Sequence, residues 1–304
     1  MYFGALSVWL SKNRILNESA IGTNVYSEEW ELIARSLGKY DTAIRSIGAG
    51  DFSGFDGTQK TQLLNQALRV INRWYNDGPE NARVREVLWA DVTNSWHING
   101  SNIYTWCSSL PSGHVLTVII NTMINSMAHR YCFYRAVGND IVLAASYRKY
   151  VYSIFYGDDS VFSVSPIYAS VFNEITLGPF MAELGLNYTS ELKQVSTVPL
   201  RYLSQVSFLK RRFRFEPTLH RHLAPISMDT IKNMPYWTKD QDGISISRTI
   251  VDTALMELSL HEKQTFDSFA PILISSSEDK LRYTPKHTSF SILRQVALKC
   301  EDYA

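Results

Sequence analysis

Cysteine is scarce in this chain, with three residues in 304, at Cys107, Cys132 and Cys300. They share no paired metal-ligand spacing, which argues against a zinc-bound or disulfide-stapled scaffold. An odd count suits a reducing compartment in which each thiol is a small core residue. Excess charge is as scarce: 30 Lys and Arg against 29 Asp and Glu leave a net +1, which excludes a generally basic nucleic-acid coat but not local cations. The densest basic cluster is Lys210, Arg211, Arg212 and Arg214. Long apolar runs are missing too. The uncharged stretch around Ser112 to Asn125 carries too much Ser, Thr and Asn to span a membrane, and no signal peptide follows Met1. No repeat or low-complexity linker is present. A content of 45% hydrophobic residues is enough for a globular chain of about two domains.

What the chain does have is Tyr156-Gly157-Asp158-Asp159 between two β-rich runs. Val151 to Phe155 reads as one strand and Ser160 to Val164 as another, so Gly157 and two adjacent carboxylates occupy the tip of a hairpin. Neighbouring carboxylates ~4 Å apart repel by about 4 kcal/mol at an effective dielectric of ~20, and burial against a sheet worsens this. A divalent cation removes the penalty; a solvated turn is the plainer alternative. A second acidic element, Asp51-Phe52-Ser53-Gly54-Phe55-Asp56, ends a predicted strand over Ala43 to Gly50 whose small residues permit close approach. Asp51, Asp158 and Asp159 together are a suitable magnesium ligand set, and paired ions ~3.5–4 Å apart serve phosphoryl transfer. For Asp56 an N-cap with Gln59 closing a capping box is the structural alternative. A third element, Ser112-Gly113-His114-Val115-Leu116-Thr117, runs into an apolar helix expected to reach Tyr134. Thr117 and Asn121 share one face of it, and polar groups on a buried face need partners in the core or on a ligand.

Elsewhere the spacing predicts a helix over Thr58 to Asn76, carried by Leu63, Leu64, Ala67, Leu68 and Ile71 and stopped at Asp77-Gly78-Pro79. An Asn-Gly hairpin is expected over Trp96 to Tyr104, with His97 structural rather than a ligand. Further helices are expected over Ser170 to Leu184 and Ile250 to Phe269, with a break at Glu216-Pro217.

Taken in order, these elements resemble the RNA-dependent RNA polymerases of positive-strand RNA viruses, in the picornavirus-like group. Asp51 to Asp56 is similar to their motif A, Ser112-Gly113 through Thr117 and Asn121 to motif B, and Tyr156 to Asp159 to motif C. Gly185-Leu186-Asn187-Tyr188-Thr189 to Lys193 is similar to motif D, and Phe208-Leu209-Lys210-Arg211 to motif E. Tyr2-Phe3-Gly4 and Ile21-Gly22-Thr23-Asn24 to Trp30 resemble the lead-in to motif A. One departure is Leu116, where many relatives have a glycine that keeps the motif B loop flexible. Another is that the basic finger strands of the family, upstream of motif A, have no counterpart; Lys12 and Arg14 do not match them.

The resemblance implies an α+β fold, a right-hand polymerase palm of antiparallel sheet backed by helices with a mostly helical thumb. It divides the chain into palm over 1–92, a finger hairpin over 93–111, palm over 112–216 and thumb over 217–304. It implies template-directed addition of ribonucleoside triphosphates to an RNA 3′ end with two Mg2+ ions, or Mn2+ in their place. Asp51 and Asp158 ligate the metals with Asp159 in support. Asp56 and Asn121, set by Ser112, Gly113 and Thr117, bond the ribose 2′-hydroxyl, the group that separates RNA from DNA. Lys193 protonates pyrophosphate, and Phe208, Leu209, Lys210 and Arg211 grip the primer strand. RNA template and primer, a protein primer and other viral replication proteins are the implied partners, in membrane-associated complexes of the host cytoplasm. Without the basic fingers, the chain alone is expected to extend a primer poorly. A reverse transcriptase shares the paired aspartates but usually sets a bulky aromatic against the 2′-hydroxyl, where this chain has Asp56 and Asn121. A non-catalytic RNA-binding palm gives no reason for an acidic cluster that repels phosphate.

Overall fold

Two helices open the chain, α1 (Gly4–Lys12) and α2 (Glu28–Leu37). The computed structural model describes residues 2–40, 43–106, 109–236 and 243–299; Cys107 and Cys300 lie outside them. The chain forms two compact units, one of residues 1–23 and 35–209, the other of residues 24–34 and 210–304.

The first unit is built on β1 (Ile47–Phe52), whose six residues are all buried. Its glycines are there for space. A Cβ on Gly48 would lie 2.3 Å from the Phe162 ring, and one on Gly50 would lie 2.0 Å from the Tyr188 hydroxyl. After β1 come α3 (Phe55–Thr58), α4 (Thr61–Tyr75) and α5 (Pro79–Thr93). In α4 the residues at helical spacing, Leu64, Ala67, Leu68 and Ile71, are the buried ones. The single helix expected from Thr58 is broken, because Gln59 takes an extended backbone. β2 (Trp96–Asn99) and β3 (Asn102–Thr105) form the Asn-Gly hairpin with Ile98 opposite Ile103. His97 is stacked on Tyr104 and bonded to the Ser95 hydroxyl at 2.8 Å.

The long helix α6 (Thr117–Ala136) follows, then the short α7 (Ile141–Ala145) and α8 (Tyr147–Tyr150). β4 (Val151–Tyr156) and β5 (Asp159–Val164) pair in the hairpin predicted from the sequence, Tyr156 opposite Asp159. α9 (Glu174–Glu183) starts at an Asn173 capping box with Thr176, and β6 (Tyr188–Ser190) completes an antiparallel sheet of order β4-β5-β1-β6. Behind the sheet, Ile120, Ile124 and Phe133 of α6 pack with Phe162, Val164, Phe172, Leu177 and Met181. Cys132 is a free, fully buried core residue whose thiol burial pushes well up. β6 covers only Gly50 to Phe52 of β1. Upstream, Arg201 bridges Ile47 through both backbone groups, and the Ala49 N–H donates to the Glu174 carboxylate at 2.9 Å. Arg201 in turn pairs with Glu174 at 2.6 Å and Glu191 at 2.7 Å.

The remaining strands are β7 (Ser207–Phe208), β8 (Arg211–Arg212), β9 (Arg214–Glu216) and β10 (Arg221–Leu223). In the second unit β9 and β10 pair antiparallel. Four helices follow, α10 (Met228–Asn233), α11 (Gly243–Leu258), α12 (Lys263–Leu281) and α13 (Phe290–Leu298). Their core is Val251, Leu255, Leu258, Phe266, Leu273 and Leu293. The helix expected over Ile250 to Phe269 is therefore two. Arg294 donates to the carbonyls of Ser259 and His261 at 3.0 and 2.9 Å, holding the segment between α11 and α12 from a distant helix. Among the described residues no helix is long and apolar enough to cross a membrane.

Candidate active site

The pairing register brings the acidic residues together. Gly50 lies opposite Ser160, so Asp51 and Asp159 are the next residues out on neighbouring strands, with Asp158 on the turn beside them. Asp51 is buried, its Oδ1 accepting the Phe52 N–H at 2.7 Å. Asp158 is half-buried. Burial pushes its carboxyl up from the ordinary value, its own backbone opposes this, and the charges of Asp51 and Asp56 push it further. A carboxyl raised by burial and by the charge of two neighbouring carboxylates fits a divalent cation, which relieves that cost. Among the described residues, however, no group of three His, Cys, Asp or Glu side chains is preassembled as a metal cage. Lys193 stands closest in charge: its Nζ lies 3.5 Å from Asp51 Oδ2, on a 78% exposed side chain. It projects from a tight turn at positive φ, where its N–H donates to the Ser190 carbonyl at 2.8 Å.

A second, polar group adjoins the acidic one. Ser112 Oγ donates to Asp56 Oδ2 at 2.5 Å, Asn121 Nδ2 donates to Asp56 Oδ1 at 2.6 Å, and Gln59 Nε2 donates to Asn121 Oδ1 at 2.5 Å. This decides against the capping-box reading. Asp56 lies inside α3, and Gln59 is committed to Asn121 rather than to the backbone of Asp56. Thr117 is not part of the chain of bonds; its hydroxyl lies 2.7 Å from the carbonyls of both Pro111 and His114 and ties the loop to the start of α6. Gly113 is exposed with open space around it. At Leu116 the backbone has φ −97°, which any residue adopts, so the position needs no glycine.

The acidic turn itself is held by residues that the sequence reading passed over. Thr122 Oγ1 accepts the Gly157 N–H at 2.8 Å, and Asn125 Nδ2 faces the carbonyls of Gly157, Asp158 and Asp159 at 3.1, 2.9 and 3.5 Å. A signal was present: the four-residue spacing that marks Thr117 and Asn121 continues to Asn125 and His129.

The fourth predicted group, Phe208 to Arg211, is dispersed. Phe208 is buried. Leu209 and Lys210 both take positive φ in a tight turn. Arg211 donates to Glu257 at 2.7 and 2.9 Å and to the Ala224 carbonyl at 2.7 Å within the second unit. Arg214 is similarly engaged with Glu216 and the Leu260 carbonyl. Of the basic cluster, Lys210 and Arg212 are exposed.

Residues 1–276 match the family profile of viral RNA-dependent RNA polymerases. The chain belongs to that family. It is 37% identical over 286 residues to the replicase polyprotein of acute bee paralysis virus (strain Rothamsted), covering 90% of this chain and 15% of that protein. It is 35% identical over 289 residues to the replicase polyprotein of Drosophila C virus (strain EB), covering 90% and 16%. The chain thus spans about a sixth of the length of these relatives. Among solved structures it is similar to a Sicinivirus 3Dpol RNA dependent RNA polymerase, with TM-score 0.78 and 18% identity over 98% of this chain and 59% of that one. The antiparallel sheet backed by helices is accordingly the palm of a right-hand polymerase, and the mostly helical second unit agrees with the expected thumb.

Proposed function

We propose that the chain carries the nucleotidyl-transfer site of an RNA-directed RNA polymerase, adding ribonucleoside triphosphates to an RNA 3′ end under a template during viral genome replication. The observation that supports this best is the adjacency of Asp158, whose carboxyl is pushed up by burial and by the charges of Asp51 and Asp56, to the Asp56–Asn121 pair. Asp51, Asp158 and Asp159 would hold two Mg2+ ions, or Mn2+ in their place. Bound there, such ions supply charge to the attacking and leaving oxygens of the transfer.

The chain's own residues supply the selection. Asp56 uses one lone pair of each carboxylate oxygen on Ser112 and Asn121, leaving others free to accept. Asn121 spends one amide proton on Asp56 and keeps the second. A ribose 2′-hydroxyl that donates to Asp56 and accepts from Asn121 satisfies both; a 2′-deoxyribose satisfies neither. This favours an RNA polymerase over a reverse transcriptase. Lys193 reaches Asp51 instead, at 3.5 Å, and is suited to give a proton to departing pyrophosphate. The exposed cations Lys210 and Arg212 are the ones open to primer phosphates. Phe208 is buried, and Arg211 keeps an internal partner. By the same reading the β2–β3 hairpin is the finger insertion over 93–111, the partners are template and primer RNA, and a protein primer and other replication proteins join in membrane-associated complexes of the host cytoplasm.

The test is substitution in the full-length polymerase that carries this chain. Asp51→Asn and Asp158→Asn should each lower turnover by several orders of magnitude with little change in RNA affinity, since each carboxylate acts on charge that develops in the transition state. Elongation at the wild-type rate in either variant would overturn the assignment.

A further inference from the structure

The pairing of β4 with β5 stops at Tyr156 and Asp159, so the strands leave the polar backbone of the Gly157-Asp158 turn to be satisfied from elsewhere. An exposed hairpin tip would use water. Here Gly157 is buried and sits against α6, with Val118 Cγ2 3.9 Å from where a Cβ would be. Two α6 side chains take over. Thr122 gives its own proton to the Val118 carbonyl at 2.6 Å, which fixes its oxygen as an acceptor for the Gly157 N–H at 2.8 Å. Asn125, with no exposed surface, turns its amide to the Gly157 and Asp158 carbonyls at 3.1 and 2.9 Å, with Asp159 at 3.5 Å.

The helix behind these two side chains is itself tied down. His129 Nδ1 lies 3.0 Å from the Asn125 carbonyl, an acceptor, so Nδ1 carries the proton. Its ring stands edge-on to Phe155 of β4 and Phe162 of β5. The turn is therefore held through a donor and an acceptor on successive turns of a helix that is packed on the same two strands.

We propose that Asn125, seconded by Thr122, is a positioning residue that fixes where Asp158 stands relative to Asp51. The inference rests on the metal reading given above for Asp51 and Asp158. A hairpin tip is the most compliant part of a sheet, and a carboxylate that must meet a metal shared with a neighbouring strand tolerates little error; a displacement of ~1 Å can cost about 10²-fold. Groups that orient metal ligands typically matter by about 10- to 100-fold in metal affinity. Asn121, one helical turn before Asn125, faces Asp56 instead. The two functions are thus separable: loss of Asn125 should loosen metal binding and leave sugar selection intact.

The experiment measures Mn2+ binding to the purified chain by the paramagnetic resonance of free Mn2+, with thermal melts to show that each variant folds. Ribose over 2′-deoxyribose preference is read in the full-length polymerase. Asp158→Asn serves as the reference loss. Asn125→Ala should weaken Mn2+ binding on the order of tenfold or more with an unchanged sugar ratio. Thr122→Val, which keeps shape and removes the acceptor, should move in the same direction, and Thr122→Ser should restore binding. If Asn125→Ala proves unstable, the Thr122 pair decides alone. Wild-type Mn2+ affinity in a folded Asn125→Ala or Thr122→Val, with Asp158→Asn impaired, would overturn the clamp and spare the metal reading. No effect from Asp158→Asn would remove both.

Discussion

Truncating Asn121 to alanine tests the sugar-reading role proposed for the Asp56–Asn121 pair. The side chain is buried, accepts from Gln59 and donates to Asp56. Its removal takes one donor from the Asp56 carboxylate, leaves the fully buried Gln59 amide without its acceptor, and deletes the free amide proton that a ribose oxygen would meet. Bonds to a charged group are worth about 1.5–3 kcal/mol and neutral ones about 1 kcal/mol. The Gln59 and Asp56 losses are common to both sugars and appear as slower overall turnover. Only the ribose contact, with any drift of Asp56, separates them, giving about 1–3 kcal/mol and so a fall of roughly fivefold to 150-fold in discrimination. The assay is incorporation of UTP against 2′-deoxy-UTP by one enzyme on one template, read as a ratio of kcat/KM. Gln59→Leu should give a smaller fall in the same ratio, because Asn121 survives but loses the bond that orients it. An unchanged ratio in Asn121→Ala would return the residue to a core-packing role and refute the division of donor and acceptor between Asp56 and Asn121.

Two further outcomes follow from the same region. His129 is fully buried, and burial, with a contribution from Arg130, brings its pKa down from 6.5 to about 4. The unfolded chain then binds a proton that the folded one refuses, so stability present above pH 6.5 is lost as pH falls toward 4, by about 3 kcal/mol at most; thermal melts of wild type and His129→Gln between pH 6.5 and 5 should differ in slope, and parallel slopes would contradict this. Lys193→Leu should slow nucleotide addition by about 10²- to 10⁴-fold and weaken its solvent isotope effect, while Lys193→His keeps part of the rate; Leu and His variants that both match wild type would end the proton-donor role.

The parts legible in the sequence were those whose cause is local. The β-rich runs on either side of Gly157 marked β4 and β5 nearly residue for residue, and the i, i+3, i+4 spacing marked the buried face of α4. The strand expected to end at Gly50 runs on to Phe52, because its last residues pair with β6 far along the chain. Non-local partners account for the other misses. Arg294 holds the break between α11 and α12 from 33 and 35 positions away, and Glu257, 46 positions from Arg211, withdraws that guanidinium from the cluster assigned to RNA. Asp56 reads locally as a cap because Gln59 follows at the right spacing, yet both turn to Asn121, more than 60 residues on. Asn125 carried a local signal, a polar residue at helical spacing in an apolar run, that only its contact with the acidic turn made meaningful.

The brevity of β6 has a use. A second partner strand running the full length of β1 would carry the chain past Ile47 and away from the acidic turn. Instead Glu174 caps the Ala49 N–H and Arg201 bridges Ile47, so the far edge of β1 is satisfied without a strand. The segment after Ser190 is released from the ladder at once and reverses within a few residues, Ser190 itself bonding back to the Gln194 carbonyl at 2.9 Å. That reversal is what delivers the Lys193 ammonium to the rim of Asp51. A buried ion pair on the far side of the sheet thus does the work of a strand, and the backbone it frees becomes the arm that carries a movable charge. Lengthening β6 at the expense of that turn would improve the sheet and strand the lysine.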